Sequence, residues 1–250
     1  MAPANVAPLP FALAGSDSTF SFSVGSRPAR LPTPRAVAPE TSDDRITNDA
    51  IVATVTDLRI IQIGHPTLRQ RAREVTALEL GSPELHRICD DLVETMRAAN
   101  GAGLAAPQVD IPLRLFAVEV GDNPRYPYKP HLGLRVLVNP VVRPVSEETY
   151  ASYEGCLSIP NLRGLLPRST EVEVGYLDPM GNDHVERFGG PSAGTMQHEL
   201  DHLDGVLFPD RVDDPTTLCT WEMFRTYREE EWVASIQPLL ERFPGESKPG

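Results

Sequence analysis

The sequence has few cysteines, no long apolar run and fewer cationic than anionic side chains, and each shortage argues against a class of protein or partner. Its three cysteines are an odd number and lie far apart in a chain of 250 residues, which argues against a disulfide framework and is typical of a reducing compartment. No apolar run approaches the length of a membrane-spanning helix. Lys and Arg number 23 against 35 Asp and Glu, so we expect neither nucleic acid nor membrane as a partner.

Composition divides the chain into three parts. Residues 1–49 are rich in Ala, Pro, Ser and Thr, and the prolines oppose sustained helices and strands, which predicts a disordered leader. Residues 50–212 have the apolar and β-branched patterns of a folded domain, which we predict to be the catalytic domain. Apolar residues at helical spacing predict a helical extension over residues 213–250. The leader lacks the features of a secretory signal, so we expect a cytoplasmic protein. The leader also has arginines among its serines, a composition typical of organelle transit peptides, so organelle targeting is an alternative.

Apolar periodicity predicts an α+β fold with antiparallel sheet. Ser82 and Pro83 begin a predicted helix that ends at Ala99. A second predicted helix covers residues 193–203, buries Met196, Leu200 and Leu203, and ends before Gly205, which suits a left-handed position. Strands separated by Pro, Gly, Asn and Asp are predicted at residues 113–120, 134–138, 171–176 and 184–188. After Asp214 and Pro215, which resemble a cap and a first turn, one or two terminal helices are expected.

The second predicted helix carries the strongest chemical pattern, His-Glu-x-x-His. His198 and His202 are four residues apart, and Glu199 follows the first of them. On a helix this spacing puts both imidazoles on one face, where they can bind one cation while the glutamate reaches a water molecule. The pattern also occurs by chance on polar helix faces whose histidines bind nothing. Whether these histidines bind a metal therefore has to be judged from the rest of the sequence.

Two further segments make the pattern specific. They are the glycine-rich residues 101–108, which read Gly-Ala-Gly-Leu-Ala-Ala-Pro-Gln, and residues 154–158, which read Glu-Gly-Cys-Leu-Ser. With Gln-His-Glu-Leu-Asp-His at residues 197–202, these segments resemble the peptide deformylase family, whose signatures are G-x-G-L-A-A-x-Q, E-G-C-L-S and Q-H-E-x-D-H. The resemblance extends over about residues 58–212. It implies antiparallel β-sheets packed around a central metal-binding helix.

The resemblance also implies a role for each residue of these segments. The implied metal ligands are Cys156, His198 and His202. One thiolate and two imidazoles leave a coordination position open, as catalysis requires. Glu199 is the implied general acid and base, and the Gln108 amide and the Leu157 N–H are the implied oxyanion donors. The implied contacts with substrate come from Gly101, Ala102, Gly103, Glu154 and Gly155.

The implied reaction is removal of the formyl group from N-formylmethionyl nascent polypeptides at the ribosome, with release of formate. Iron(II) is the implied metal, and zinc, nickel and cobalt are the alternatives to it at the same site. Thiolate and imidazole donors by themselves suit zinc and iron(II) equally. Ala102 and Gly194 stand where family members carry larger side chains, which predicts a roomier pocket for the first side chain. Asp201 is predicted to orient the helix through an arginine such as Arg168.

Other interpretations of the same residues remain to be tested. Gly101, Gly103 and Ala106 fit a dinucleotide-binding fingerprint, but a helix precedes them where that motif needs a strand. Cys156 lies between Gly155 and Leu157 in a predicted loop, and with a histidine base it would suit a cysteine nucleophile. A metalloprotease or another amidase could use the same helix, although proteases of that type usually take a histidine or a carboxylate as third ligand. A noncatalytic relative would bind formylated or acylated N-termini without turnover.

Overall fold

The computed structural model describes residues 58–247, which form an α+β arrangement of antiparallel strands and helices. The predicted leader lies outside the described residues. In chain order the elements are α1 (Pro83–Ala98), β1 (Gly103–Ala105), β2 (Leu115–Val120), β3 (Leu132–Pro144), β4 (Thr149–Cys156), β5 (Ile159–Ser169), β6 (Glu171–Leu177), β7 (Asp183–Gly189), α2 (Gly190–Leu203), α3 (Trp221–Tyr227) and α4 (Glu229–Arg242).

The strands form two sheets. The larger sheet has the order β1-β2-β3-β6-β7, and β4 and β5 form a separate hairpin, with antiparallel pairing throughout. In β2, Leu115 and Ala117 belong to the apolar cluster that contains residues of α1. Phe116 and Val118 belong to the cluster that contains residues of α2. The larger sheet therefore has a helix on each face, because successive strand side chains point to opposite sides.

The first predicted helix is confirmed and ends one residue earlier than expected, at Ala98. The Ser82 hydroxyl accepts a hydrogen bond from the backbone N–H of Leu85 at 3.2 Å, which satisfies one of the free donors of the first turn. Leu92 and Met96 are fully buried against the sheet. The cap and the apolar face together place the end of this helix beside residues 101–108.

Helix α2 carries the His-Glu-x-x-His residues and begins three residues earlier than predicted, directly after β7. Met196 and Leu203 are buried as expected, but Leu200 is only partly buried. Thr195, Glu199 and His202 are buried as well, because strands of both sheets contact this helix. The expected single apolar stripe is therefore replaced by a helix that is covered on several sides.

The hairpin of β4 and β5 was not predicted, and Cys156 was placed in a loop. This placement is wrong, because Cys156 is the last residue of β4. Pro160 and Pro167 lie within β5 and make the segment resemble a loop, since proline cannot donate to a ladder. Pairing along the whole hairpin, including that of Glu154 with Gly164, overrides this local signal.

The C-terminal residues form helices α3 and α4, which pack an aromatic cluster against the hairpin. Phe224 and Trp232 cluster with Tyr153 of β4. Asp214 and Pro215 do not begin an α-helix, as their pattern predicted, but a short 3₁₀ turn that ends at Thr217. Helix α3 is capped instead by Thr220, whose hydroxyl accepts from the N–H of Met223 at 3.3 Å. Among residues 58–247, no helix has the length and apolar character that a membrane span needs.

Gly205 is expected to be a glycine outside the site whose replacement lowers the stability of the protein. It adopts φ +73° just past α2, as predicted, and a Cβ there would lie 2.8 Å from the backbone carbon of Arg69. We expect Gly205→Ala to lower the free energy of unfolding by more than about 1 kcal/mol, because both the φ angle and the contact oppose a side chain. Urea unfolding measures this loss. The matched control is Gly175→Ala, whose Cβ would meet nothing within 4 Å; an equal effect in both variants would contradict the prediction.

Candidate metal centre

The three predicted ligands meet at one point in the interior. One ligand atom from each of Cys156, His198 and His202 lies within 4.8 Å of the others, and Cys156 Sγ is 3.2 Å from His202 Nε2. Cys156 is 3% exposed and His202 is 1% exposed. The end of β4 supplies the thiol, and one turn of α2 supplies both imidazoles. The two elements come from distant parts of the chain and form one cluster of donors.

Glu154 fixes the orientation of His198. The Nδ1 atom of His198 lies 2.8 Å from Glu154 Oε2, so Nε2 is the nitrogen left for ligation. Arg168 Nε donates to the other carboxylate oxygen at 2.7 Å. Burial alone would raise the pKa of Glu154, but Arg168 and His198 outweigh burial and hold that pKa well below its usual range. Glu154 is therefore a buried carboxylate whose role in orienting a ligand was not predicted.

The donor set fits a divalent metal. Burial alone would lower the pKa of His198, but its contacts with Cys156 and Glu154 outweigh burial and raise it, so the site attracts positive charge. Burial and the neighbouring His198 lower the pKa of His202, which favours the neutral imidazole that a metal binds. One sulfur and two nitrogen donors leave a position open in a tetrahedral arrangement, as a catalytic centre requires.

Asp201 forms the predicted contact with Arg168. The Nη1 atom of Arg168 donates to Asp201 Oδ2 at 2.8 Å, and Arg211 Nε donates to the same oxygen at 2.6 Å. Arg168 thus joins Glu154 of the hairpin to Asp201 of helix α2. This arrangement connects the element that supplies the thiol with the element that supplies the imidazoles.

Glu199 lies in the wall of the same pocket as His198. It is 3% exposed, and its Oε2 atom has no hydrogen-bond partner within the described residues. Burial raises the pKa of Glu199 to about 7, so both protonation states are accessible near neutral pH. A Cβ on Gly103 would overlap the Glu199 carboxylate. The glycine at position 103 therefore makes room for this carboxylate, in addition to the close approach of substrate expected from the sequence.

The side-chain amide of Gln108 faces the centre. Its Nε2 atom donates to Cys156 Sγ at 3.4 Å and to Ser158 Oγ at 3.2 Å, while its Oε1 atom accepts from the N–H of Ala105 at 2.8 Å. The last bond fixes which end of the amide points inward, since it leaves the donor end beside the thiol. Leu157 follows Cys156 in the chain and begins the turn between β4 and β5. Both predicted oxyanion donors therefore lie beside the predicted metal ligands.

One pocket joins nearly all of the predicted site residues. It is lined by Gly101, Ala102, Gly103, Gln108, Glu154, Gly155, Cys156, Leu157, His198 and Glu199; His202 is buried behind it. Further lining residues that were not predicted include Tyr126, Tyr128, Lys129, Tyr150, Arg163 and Trp232. A concentration of tyrosines at residues 126–128 was the available signal in a chain with 6% aromatic residues. Trp232 shows that helix α4 contributes to the pocket wall.

The expected extra room beside Gly194 is not present. A Cβ on Gly194 would overlap the hydroxyl of Tyr150, and this hydroxyl donates to the carbonyl of Gly190 at 3.3 Å. The tyrosine hydroxyl thus fills the volume that a larger side chain at position 194 would take. Gly194 therefore makes room for the Tyr150 hydroxyl in the pocket wall and does not widen the pocket.

Comparisons with known proteins agree with this geometry. The profile of the family described as Polypeptide deformylase matches residues 57–217. Peptide deformylase 2 of Nostoc sp. is 43% identical over 168 residues, which are 67% of this chain and 93% of the relative. Peptide deformylase 1 of Nitrosomonas europaea is 42% identical over 62% of this chain and 87% of its own length. A class I type b peptide deformylase from Acinetobacter baumannii, solved with Met-Ala-Ser bound, is similar with 41% identity and a TM-score of 0.60, covering 62% of this chain and 98% of its own.

Proposed function

This chain belongs to the polypeptide deformylase family, and we propose that it removes the N-formyl group of N-formylmethionyl nascent polypeptides by hydrolysis, releasing formate. The observation that carries this proposal is the convergence of Cys156, His198 and His202 on one point beside a buried carboxylate. A lone His-Glu-x-x-His helix occurs by chance. A helix pattern that arose by chance would not also bring a thiol from a separate strand close enough to share one metal ion with both imidazoles.

We propose that Cys156, His198 and His202 hold the metal. When bound, the metal supplies Lewis acidity, which polarises the formyl carbonyl and makes water nucleophilic near neutral pH. Iron(II) is the proposed ion, because membership of the family implies it. Zinc, nickel and cobalt are alternatives that the same donors accept. Glu154 supports the site by holding His198 through its Nδ1 atom.

Glu199 is the proposed general acid and base. Its carboxylate takes a proton from the attacking water and passes it to the leaving amine, which is a poor leaving group without that proton. A pKa of about 7 supports both transfers, since neither direction is strongly uphill. The Gln108 Nε2 and the Leu157 N–H are the proposed donors to the carbonyl oxygen as it gains charge. Gly101, Ala102, Gly103 and Gly155 are proposed to position the substrate.

We propose a cytoplasmic setting, with residues 1–49 as a leader, residues 50–212 as the catalytic domain and residues 213–250 as an extension. Free thiols at Cys89, Cys156 and Cys219 support a reducing compartment. The proposed partners are formylated nascent chains as they leave the ribosome. The formal charge of −12 supports contact through the peptide, since broad affinity for ribosomal RNA needs clustered cations.

Formate release from formyl-Met-Ala-Ser by protein purified anaerobically, with the metal content determined on the same sample, tests the function. Turnover by metal-loaded protein is the expected result. Metal-loaded protein that binds the peptide without releasing formate would overturn it in favour of a noncatalytic binder. Cleavage of internal peptide bonds with the formyl group retained would overturn it in favour of a protease.

Removal of the thiol tests the ligand assignment. We expect Cys156→Ala to weaken metal binding by more than about 100-fold, because even the loss of an outer partner of a ligand costs about 10–100-fold. Metal content after dialysis and formate release are both measured. Cys219→Ala is the matched control, since Cys219 lies outside the cluster and should retain metal and activity. Full metal content in the Cys156 variant would exclude Cys156 as a ligand.

A further inference from the structure

Helix α4 reaches the pocket beside the metal centre from outside the part of the chain that matches the family. The match with the family profile ends at residue 217. Trp232 of α4 lines the same pocket as His198 and Glu199, and it is 7% exposed. One wall of the pocket therefore depends on a residue that lies outside all three sequence motifs.

The pocket lies between one face of β4 and one face of α2. Tyr150, Ser152 and Glu154 line it from β4, since every second side chain of a strand points to the same side. The wall from α2 consists of residues that share one face of the helix, namely Pro191, Gly194, Thr195 and His198. The pocket therefore extends away from the metal ligands along about two turns of helix, or roughly 10 Å.

Trp232 is fixed at the end of the pocket that is remote from the thiol. Its indole Nε1 donates to the carbonyl of Ala151 at 2.8 Å. Ala151 precedes Cys156 on β4, and a strand rises about 3.3 Å per residue, so this bond holds the indole well away from the sulfur. The ring also packs edge-on against Tyr128 and Tyr153, with centroid separations of 4.9 Å and 6.0 Å. Trp232 is thus a fixed wall at the far end.

The rest of helix α4 keeps the indole in place. Ile236, one turn after Trp232, is 3% exposed and belongs to the same apolar cluster. Phe243, directly after the helix, occupies the space that a Cβ on Gly189 would need. Both contacts join α4 to the catalytic domain on either side of the last helical turns. The position of the pocket wall is therefore set by the packing of the whole helix.

A second cavity meets the pocket at Cys156 and Leu157, which line both. This groove is also lined by Pro160, Asn161 and Arg225, which are exposed, so it opens to solvent. An N-formyl peptide has one side chain next to its formyl group and a longer chain that has to leave the enzyme. The open groove suits the chain. The buried pocket is then the space for the first side chain.

We propose that Trp232 of helix α4 limits the length of the first side chain that the enzyme accepts, so that the C-terminal extension sets the substrate specificity. The proposal rests on the deformylase function and deepens it. The pocket encloses about 50 Å³, against the ~10–15 Å³ that one water needs. Methionine ends in this space with its thioether against an aromatic ring, which is a favourable contact. A longer side chain meets the indole and is excluded.

The test compares kcat/KM for formyl-Met-Ala-Ser and for the same peptide with homophenylalanine in place of methionine. Wild-type protein should prefer methionine, and equal use of both peptides would overturn the proposal. Trp232→Leu keeps an apolar side chain and opens the end of the pocket. We expect it to raise the ratio of homophenylalanine to methionine by at least about tenfold, since one methylene in a pocket changes kcat/KM by about 10–200-fold. An unchanged ratio would also overturn the proposal.

Two further variants separate the wall from the stability of the helix. Both rates are measured on one sample, so a loss of folded protein cancels in the ratio. Ile236→Ala loosens the packing of α4 from a buried position outside the pocket and should keep the wild-type ratio. Trp232→Phe keeps an aromatic ring and should keep most of the preference. An equal rise of the ratio in Ile236→Ala would assign the effect to helix packing and overturn the proposal.

Fluorescence tests the contact without turnover. The chain has two tryptophans, so Trp221→Phe leaves Trp232 as the single one. The product peptide Met-Ala-Ser, at a concentration that calorimetry shows to be saturating, should change the Trp232 emission. Ala-Ala-Ser at saturation should not, because its first side chain is too short to reach the ring. Emission that bound Met-Ala-Ser leaves unchanged would overturn the proposal. Lack of formate release from formyl-Met-Ala-Ser would instead overturn the function, and the emission would still report on Trp232.

Discussion

Replacing Glu199 by glutamine is expected to slow formate release by about 10²–10⁴-fold while the metal content stays unchanged. The variant keeps the shape of the side chain and removes its ability to carry a proton. The rate should fall because both proton transfers, from water and to the leaving amine, are proposed to pass through this carboxylate. Formate release and metal content, measured on the same anaerobic sample, check the prediction.

The structure explains why no neighbouring group can take over from Glu199. Its Oε2 atom has no protein partner within residues 58–247, and the space that its carboxylate occupies exists because residue 103 is glycine. Glu154 is in the same pocket, but Arg168 and His198 keep it ionised, so it cannot donate a proton near neutral pH. Glu241→Gln, on an exposed position of helix α4, is the control and should retain full activity. A Glu199 variant that matches this control would exclude Glu199 as the proton carrier.

Replacing Arg168 by methionine is expected to lower the free energy of unfolding by about 3–5 kcal/mol, the cost of removing one partner from a buried ion pair. Arg168 is 4% exposed and bonds to both Glu154 and Asp201. Its loss leaves Glu154 buried with only His198 as a partner. Guanidinium unfolding of the metal-free protein measures the effect without a contribution from metal binding.

Arg187→Met is the matched control for Arg168, because Arg187 pairs with Glu173 at 3.4 Å on the surface. An exposed pair of this kind contributes at most about 1 kcal/mol. The loss of unfolding free energy in Arg168→Lys should lie between the losses in the two methionine variants, since lysine keeps the charge but cannot bond to two carboxylates in the same geometry. Equal stability of the Arg168 and Arg187 methionine variants would show that the buried pair does not hold the hairpin to helix α2.

Elements with strong local signals were predictable, and an element whose local signals oppose its structure was not. Helix α1 follows from Ser82, Pro83 and an apolar repeat, because a cap and a period act within the segment itself. The hairpin of β4 and β5 was missed, because Pro160 and Pro167 locally oppose a strand. Its stability comes from pairing along the whole ladder and from packing under α3 and α4, which no short window of sequence displays.

The sequence alone was enough to predict the family and the chemistry proposed for the centre, since the types and order of Cys156, Glu199 and the two histidines match the signatures of the family. Tertiary structure decided how those groups are held and what surrounds them. Glu154 orients His198, and Tyr150 fills the space that Gly194 leaves. Lys129 enters the pocket from a segment outside all three motifs. The physical reason is that donor identity is a property of single residues, whereas burial, charge pairing and pocket shape depend on residues that only folding brings together.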